Sequence, residues 1–192
     1  MTVEQSGEFE TCPYGDAIEM MVAYHAKVRH QLARLRAIDD DVAFGEPESL
    51  EQAAMIAAAA IDLFGREGEL HAFDEDGLLF ARMREAAASE DTAIVEALDA
   101  VEEEHKLLRP LWPRLDFYLA RIALPDEPVS LREFREARLE LTGCVLPHLH
   151  FEERYVYPAA GRLLGPDVLR QMVSEMRAHR SRPSERSFAS TP

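Results

Sequence analysis

Apolar residues recur at steps of three and four along most of the chain, and no stretch alternates with the period of two that a half-buried strand requires. Between residues 15 and 38, Ile18, Met21, Val22, His25, Val28, Leu32 and Leu35 fall along one helical face. The segment DDDVAFGEPES (39–49) breaks the pattern, with Pro47 and Ser49 leading into a second helix over 49–85. Its inward positions are Ile56, Ala60, Leu63, His71, Glu75 and Leu78, and Gly65 and Gly68 loosen its middle. The third helix, 90–123, carries Ile94, Leu98, Val101, His105, Leu108, Trp112, Leu115, Leu119 and Ile122 on one stripe. Pro110 and Pro113 are expected to kink it, because each lacks a backbone donor.

After LPDEPVS (124–130), Ser130 and Glu133 form a capping box that opens the fourth helix. Phe134, Leu141, Val145, His148, Glu152, Tyr155 and Ala159 share its inner face, and Pro147 is expected to bend it. GPD (165–167) opens a short terminal helix. The pattern predicts an all-α chain: an arm over 1–14, an up-down antiparallel four-helix bundle with a short extra C-terminal helix over 15–180, and a disordered tail over 181–192.

The chain has 192 residues, enough for one domain with a sizeable core. A net charge of −15 argues against a nucleic-acid backbone or an anionic membrane surface as partner. The longest apolar run, AAMIAAAAI at 53–61, is too short to span a bilayer. The start, MTVEQSGEFE, lacks the basic and apolar regions of a signal peptide, so a cytoplasmic location is expected. Cys12 and Cys144 make no CxxC pair; Cys144 is expected to pack as a small apolar residue.

The polar residues inside the stripes carry the chemistry. His148 and Glu152 are four apart and share a face, as do His71 and Glu75. The first and third helices each offer one inward histidine, His25 and His105. His30, His150 and Glu153 fall off the stripes, His30, His150 and His179 are expected to be solvated, and the EEE run before His105 is mainly a charged face. An unpaired carboxylate in an apolar core costs several kcal/mol or takes up a proton. Imidazole and carboxylate are good ligands for iron, manganese or zinc, and six ligands are too many for one tetrahedral ion but suit two metals. Taken singly, a histidine on an apolar stripe is an ordinary core residue and one His-x-x-x-Glu pair an ordinary helix pair. The constellation of His25, His71, Glu75, His105, His148 and Glu152 is what points to a metal site. No His-Glu-x-x-His motif of a zinc hydrolase is present.

In YHAKVRHQLARL, HAFDEDGLLF, EEEHKLL and HLHFEERYVYP the sequence resembles the hemerythrin-like family, or HHE cation-binding domain, over 15–163. The resemblance implies an up-down bundle holding a non-haem di-iron centre. The two glutamates would bridge the irons with an oxo or hydroxo group, and dioxygen, peroxide or nitric oxide would bind at an open position. Glu67, Glu102 and Tyr155 are the candidates for hydrogen bonds that orient the histidines. Oxygen carriers of the family have a second histidine four residues from the one on helix three. Here those positions are Val101 and Arg109, a four-histidine pattern similar to iron-sulfur cluster repair proteins and to an iron-sensing domain of a ubiquitin-ligase subunit. The expected function is binding or sensing of a small diatomic or peroxide ligand, or iron handling. The alternatives are a di-iron enzyme that decomposes peroxide or oxidises iron, and a metal-stabilised regulatory module. Ferritin-like ligation uses paired Glu-x-x-His motifs, of which Glu102 to His105 is the one inward example.

Overall fold

The computed structural model describes residues 15–181 except 40, 41, 43, 44, 89, 90 and 125–127. The expectations for the 1–14 arm, for Cys12 and for the tail beyond Ser181 lie outside the described residues. Those described form four rods and no strand.

The first rod is α1, Ala17–Arg34, opened by Asp16, whose carboxylate accepts the Glu19 backbone N–H at 3.0 Å. The second runs over 47–86. It begins as α2, Pro47–Asp62, with proline at the position where a missing N–H costs nothing. A π turn at Leu63–Glu67 leads to α3, Gly68–Phe73, and a second at Asp74–Leu79 to α4, Phe80–Ala86. The third rod is α5, Thr92–Leu108, and α6, Leu111–Ala123. Pro110 separates them as expected, and Pro113 falls in the first turn of α6, where its ring is tolerated. The fourth rod is α7, Leu131–Phe151, a π turn at Glu152–Val156, and α8, Tyr157–Arg180. The Ser130 hydroxyl accepts the Glu133 N–H at 3.4 Å. Pro147 sits inside α7 without ending it. Gly165, at φ 71°, breaks α8, and Pro166 restarts it as the expected terminal helix.

Buried apolar residues gather in two clusters. One holds Val28, Leu32, Leu63, Leu115, Phe134, Leu141 and Leu149; the other holds Met21, Leu79, Phe80, Val101, Val156, Tyr157 and Met172. Every rod passes from one to the other across a polar interruption: Met21–His25–Val28, Leu63–His71–Glu75–Leu79, Val101–His105–Leu115 and Leu149–Glu152–Val156. The direction of passage reverses at each rod, which is the up-down antiparallel order. All six polar residues thus lie at one level of the bundle. The terminal helix closes one end, with Leu169, Met172, Val173 and Met176 in the same cluster as Met21 and Met83.

The structure corrects several expectations. A π turn holds one residue more than an α turn, so the inward series beyond it moves on. Leu79 and Phe80 are buried while Leu78 is half-buried; Val156 and Tyr157 are buried while Tyr155 is 55% exposed. Cys144 is exposed, not packed, because its neighbours Leu141 and Val145 take the inner face of α7.

Asp74 is buried beside Glu75 and ion-paired to Arg180 at 2.5 Å, which ties the end of α8 to the second π turn. Burial raises its carboxyl, and Arg180 opposes that rise. Arg180→Ala is expected to lower unfolding free energy by roughly 1–3 kcal/mol by stranding this carboxylate. Asp74→Asn in the same background is expected to recover part of the loss in urea melts of the metal-free protein.

Candidate metal centre

The six predicted side chains converge. His25 and Glu152 are fully buried, as is Glu75, and His71, His105 and His148 are nearly so. His25 Nε2 lies 3.0 Å from His71 Nε2 and 3.4 Å from Glu152 Oε2. Glu75 Oε2 lies 3.3 Å from His71 Nε2 and 3.4 Å from His105 Nε2. Glu152 Oε1 lies 3.2 Å from His148 Nε2 and 3.5 Å from His105 Nε2. Two groups of ligand atoms result, each within 4.8 Å: His25, His71, Glu75 and Glu152, and His105, His148 and Glu152. Glu152 belongs to both.

The outer nitrogens explain why the inner ones point inward. His25 Nδ1 faces Glu153 Oε1 at 3.0 Å, His105 Nδ1 faces Asp76 Oδ1 at 2.8 Å, and His148 Nδ1 faces Glu104 Oε2 at 2.9 Å. Each carboxylate is an acceptor, so it fixes a proton on Nδ1 and leaves Nε2 as the nitrogen turned to the centre. The supporting residues follow a cyclic rule that the sequence reading missed. Asp76 follows Glu75 and serves the third rod; Glu104 precedes His105 and serves the fourth; Glu153 follows Glu152 and serves the first. A residue adjacent to an inward one is turned by about 100°, so it faces the neighbouring rod. The first rod completes the circuit differently: Tyr24, next to His25, stacks on His71 with ring centres 4.2 Å apart. Among the described residues His71 Nδ1 has no hydrogen-bond partner. The adjacent acids in DED, EEEH and FEER were the legible signal.

The earlier candidates for this role are engaged elsewhere. Glu67 takes the Lys27 ammonium at 2.9 Å, Glu102 takes Arg84 at 2.7 Å, and Tyr155 points outward. Glu153, expected off the site, reaches His25 and is clamped by Arg29 at 2.7 and 2.9 Å. His30 and His150 are exposed, as expected. His179 is not: it stacks on Phe73 with ring centres 3.9 Å apart, where the terminal helix docks. A residue no one-face reading finds is Tyr157, whose hydroxyl donates to Glu75 Oε1 at 2.5 Å.

The donor set fits metal. Glu75 Oε2 and both oxygens of Glu152 are buried with no hydrogen-bond partner among the described residues. The nitrogens of His25 and His71 face each other at 3.0 Å. That contact is a hydrogen bond when His71 carries its proton on Nε2, but buried carboxylate oxygens left without a partner are costly unless something positive lies among them. Burial lowers His25 and His148, and it lowers His71 to about 3 against the pull of Glu75, so these imidazoles are neutral near pH 7. Burial also lowers His105, but its bond to Asp76 and the nearby carboxylates of Glu152 and Glu75 outweigh it and push the ring up to about 12. Burial and the charge of Glu75 raise Glu152, while His71 and His105 hold Glu75 below its usual range despite its burial. Burial thus shifts Glu152 toward its protonated form, and the carboxylates around His105 shift that ring toward imidazolium.

Metal loading at pH 7 is therefore expected to release protons, seen by calorimetry in buffers of different ionisation enthalpy. Apparent affinity should fall about tenfold for each unit by which the pH is lowered, per proton displaced. Asp76→Asn, Glu104→Gln and Glu153→Gln are each expected to weaken metal binding about 10–100-fold in chelator competition, because each frees the orientation of one imidazole.

A scan against protein-family models matches residues 16–160 to the hemerythrin HHE cation binding domain. Comparison with curated proteins and with solved structures gave no match. The matched span begins just before α1, ends just past Tyr157 and contains all six converging side chains, and the chain belongs to the hemerythrin HHE cation-binding family.

Proposed function

We propose that the centre holds two iron ions and that the protein binds or senses a small diatomic molecule or peroxide there. The observation that carries this reading is the sharing of Glu152: its two oxygens turn to different histidine groups, Oε2 to His25 and Oε1 to His105 and His148. A carboxylate so divided suits two cations side by side better than one. Iron held there supplies redox-active positions that accept dioxygen, peroxide or nitric oxide. The chain's own residues hold the imidazoles neutral and oriented, exclude bulk water behind the two apolar clusters, and leave the ions short of a full set of protein ligands. Val101 and Arg109, flanking His105 by four residues, add none.

The carboxylate pairing favours this over ferritin-like oxidation, since Glu102 is turned to Arg84 and no Glu-x-x-His pair is directed into the site. Among the described residues no helix is long and apolar enough to cross a membrane. A cytoplasmic location and a small-molecule partner belong to the same reading, and the net charge of −15 supports the absence of nucleic-acid or anionic-membrane partners.

Metal analysis and absorption spectra of protein from iron-replete cells test it. About two irons per chain are expected, with an ultraviolet oxo-bridge band that changes on adding oxygen, peroxide or nitric oxide. Glu152→Ala is expected to lose both ions and His105→Ala to disturb chiefly its own half. A wild-type protein that holds no metal, or whose spectrum ignores all three ligands, refutes the proposal. Catalytic oxygen evolution from peroxide would instead establish the enzyme.

A further inference from the structure

The two buried glutamates are not equivalent. Glu152 turns both oxygens to imidazoles, and neither has a hydrogen-bond partner among the described residues. Glu75 turns only Oε2, at 3.3 Å from His71 and 3.4 Å from His105. Its Oε1 accepts the Tyr157 hydroxyl at 2.5 Å. Three of the four carboxylate oxygens are thus open, and the fourth is capped by one phenol.

That phenol is held firmly. Tyr157 is 2% exposed, its ring stacks on His25 with centres 5.4 Å apart, and it is the first residue of α8. The π turn at Glu152–Val156 is what brings both Glu152 and Tyr157 to the inner face, five residues apart. The hydroxyl has one proton. Given to Glu75, it leaves only lone pairs toward His25 Nε2, 3.0 Å away. His25 cannot supply a proton there, because its Nδ1 donates to the Arg29-clamped carboxylate of Glu153. His25 Nε2 is thus also an acceptor, and the proton goes to Glu75 because that contact is the shorter one, 2.5 Å against 3.0 Å, and its acceptor is a carboxylate.

We propose that Tyr157 is a positioning residue that makes the two carboxylates unequal: it engages Glu75 Oε1, so that Glu75 would offer metals Oε2 alone while Glu152 would offer both of its oxygens. This rests on the two-iron reading. A bridge through one atom would draw two ions closer than a bridge through a whole carboxylate, so the phenol would bear on their spacing as well as on their symmetry.

The test compares iron(II)-loaded wild-type and Tyr157→Phe proteins, prepared without oxygen, by infrared difference spectra against the metal-free forms and by iron X-ray absorption. Wild type is expected to show one carboxylate with widely split stretches and one with narrowly split stretches. Tyr157→Phe should show two narrowly split pairs and a longer iron–iron distance at unchanged iron content. Replacing all tyrosines by 3-fluorotyrosine keeps the ring in place and strengthens its donor; it should shift the widely split pair, and it covers the case in which the phenylalanine variant fails to fold. Identical spectra with and without the hydroxyl, or no shift on fluorination, overturn the proposal. So does a phenolate-to-iron charge-transfer band in oxidised wild type that Tyr157→Phe lacks, since Tyr157 would then be a ligand. A wild type without iron sinks the two-iron reading itself, and with it this inference, and is told apart by metal content alone.

Discussion

Two carboxylates cannot lie side by side in the middle of an apolar bundle unless something positive lies with them. Glu75 and Glu152 are fully buried, and three of their oxygens have no hydrogen-bond partner among the described residues. Much of the architecture follows from keeping them there. Apolar clusters above and below exclude water, which raises the cost of the unpaired charge and the value of any cation that cancels it. Each rod contributes at the same level, so the polar layer is sealed at both ends by packing rather than by loops.

Around that layer the protein builds support from residues adjacent to the inward ones. Asp76, Glu104 and Glu153 each reach to the next rod and fix a histidine that another element supplies. No rod can therefore shift along its axis without disturbing an imidazole on its neighbour. The circuit changes character at His71, where a stacked tyrosine replaces the carboxylate and Nδ1 has no partner among the described residues. Together with the phenol on Glu75, this makes the half of the site around His25 and His71 chemically unlike the half around His105 and His148.

The π turns connect the local backbone to this asymmetry. Both glutamates lie in π turns, Glu75 in Asp74–Leu79 and Glu152 at the start of Glu152–Val156. The widened turn places Asp74 and Glu75 inward together, the first paired to Arg180 of the terminal helix and the second facing the centre. It likewise brings Tyr157 to the inner face after Glu152. Such turns are rare, occur mostly as single turns within α-helices, and are frequent at functional sites.

By itself the sequence determined the helices, their order and the six converging side chains. A period of three to four marks a buried face whatever that face packs against, and a charged residue on that face is conspicuous. The up-down order was equally legible, since short connections leave a chain of amphipathic helices little else to do. Only the tertiary structure decided which neighbours support the ligands, because Asp76, Glu104 and Glu153 sit a quarter-turn off the stripe and look like solvated charge until the next rod is in place. It also decided Tyr157 over Tyr155. An α-helical wheel carries one phase along the whole helix, whereas a π turn resets that phase, and nothing in the local residue pattern announces a turn that the packing of four rods imposes.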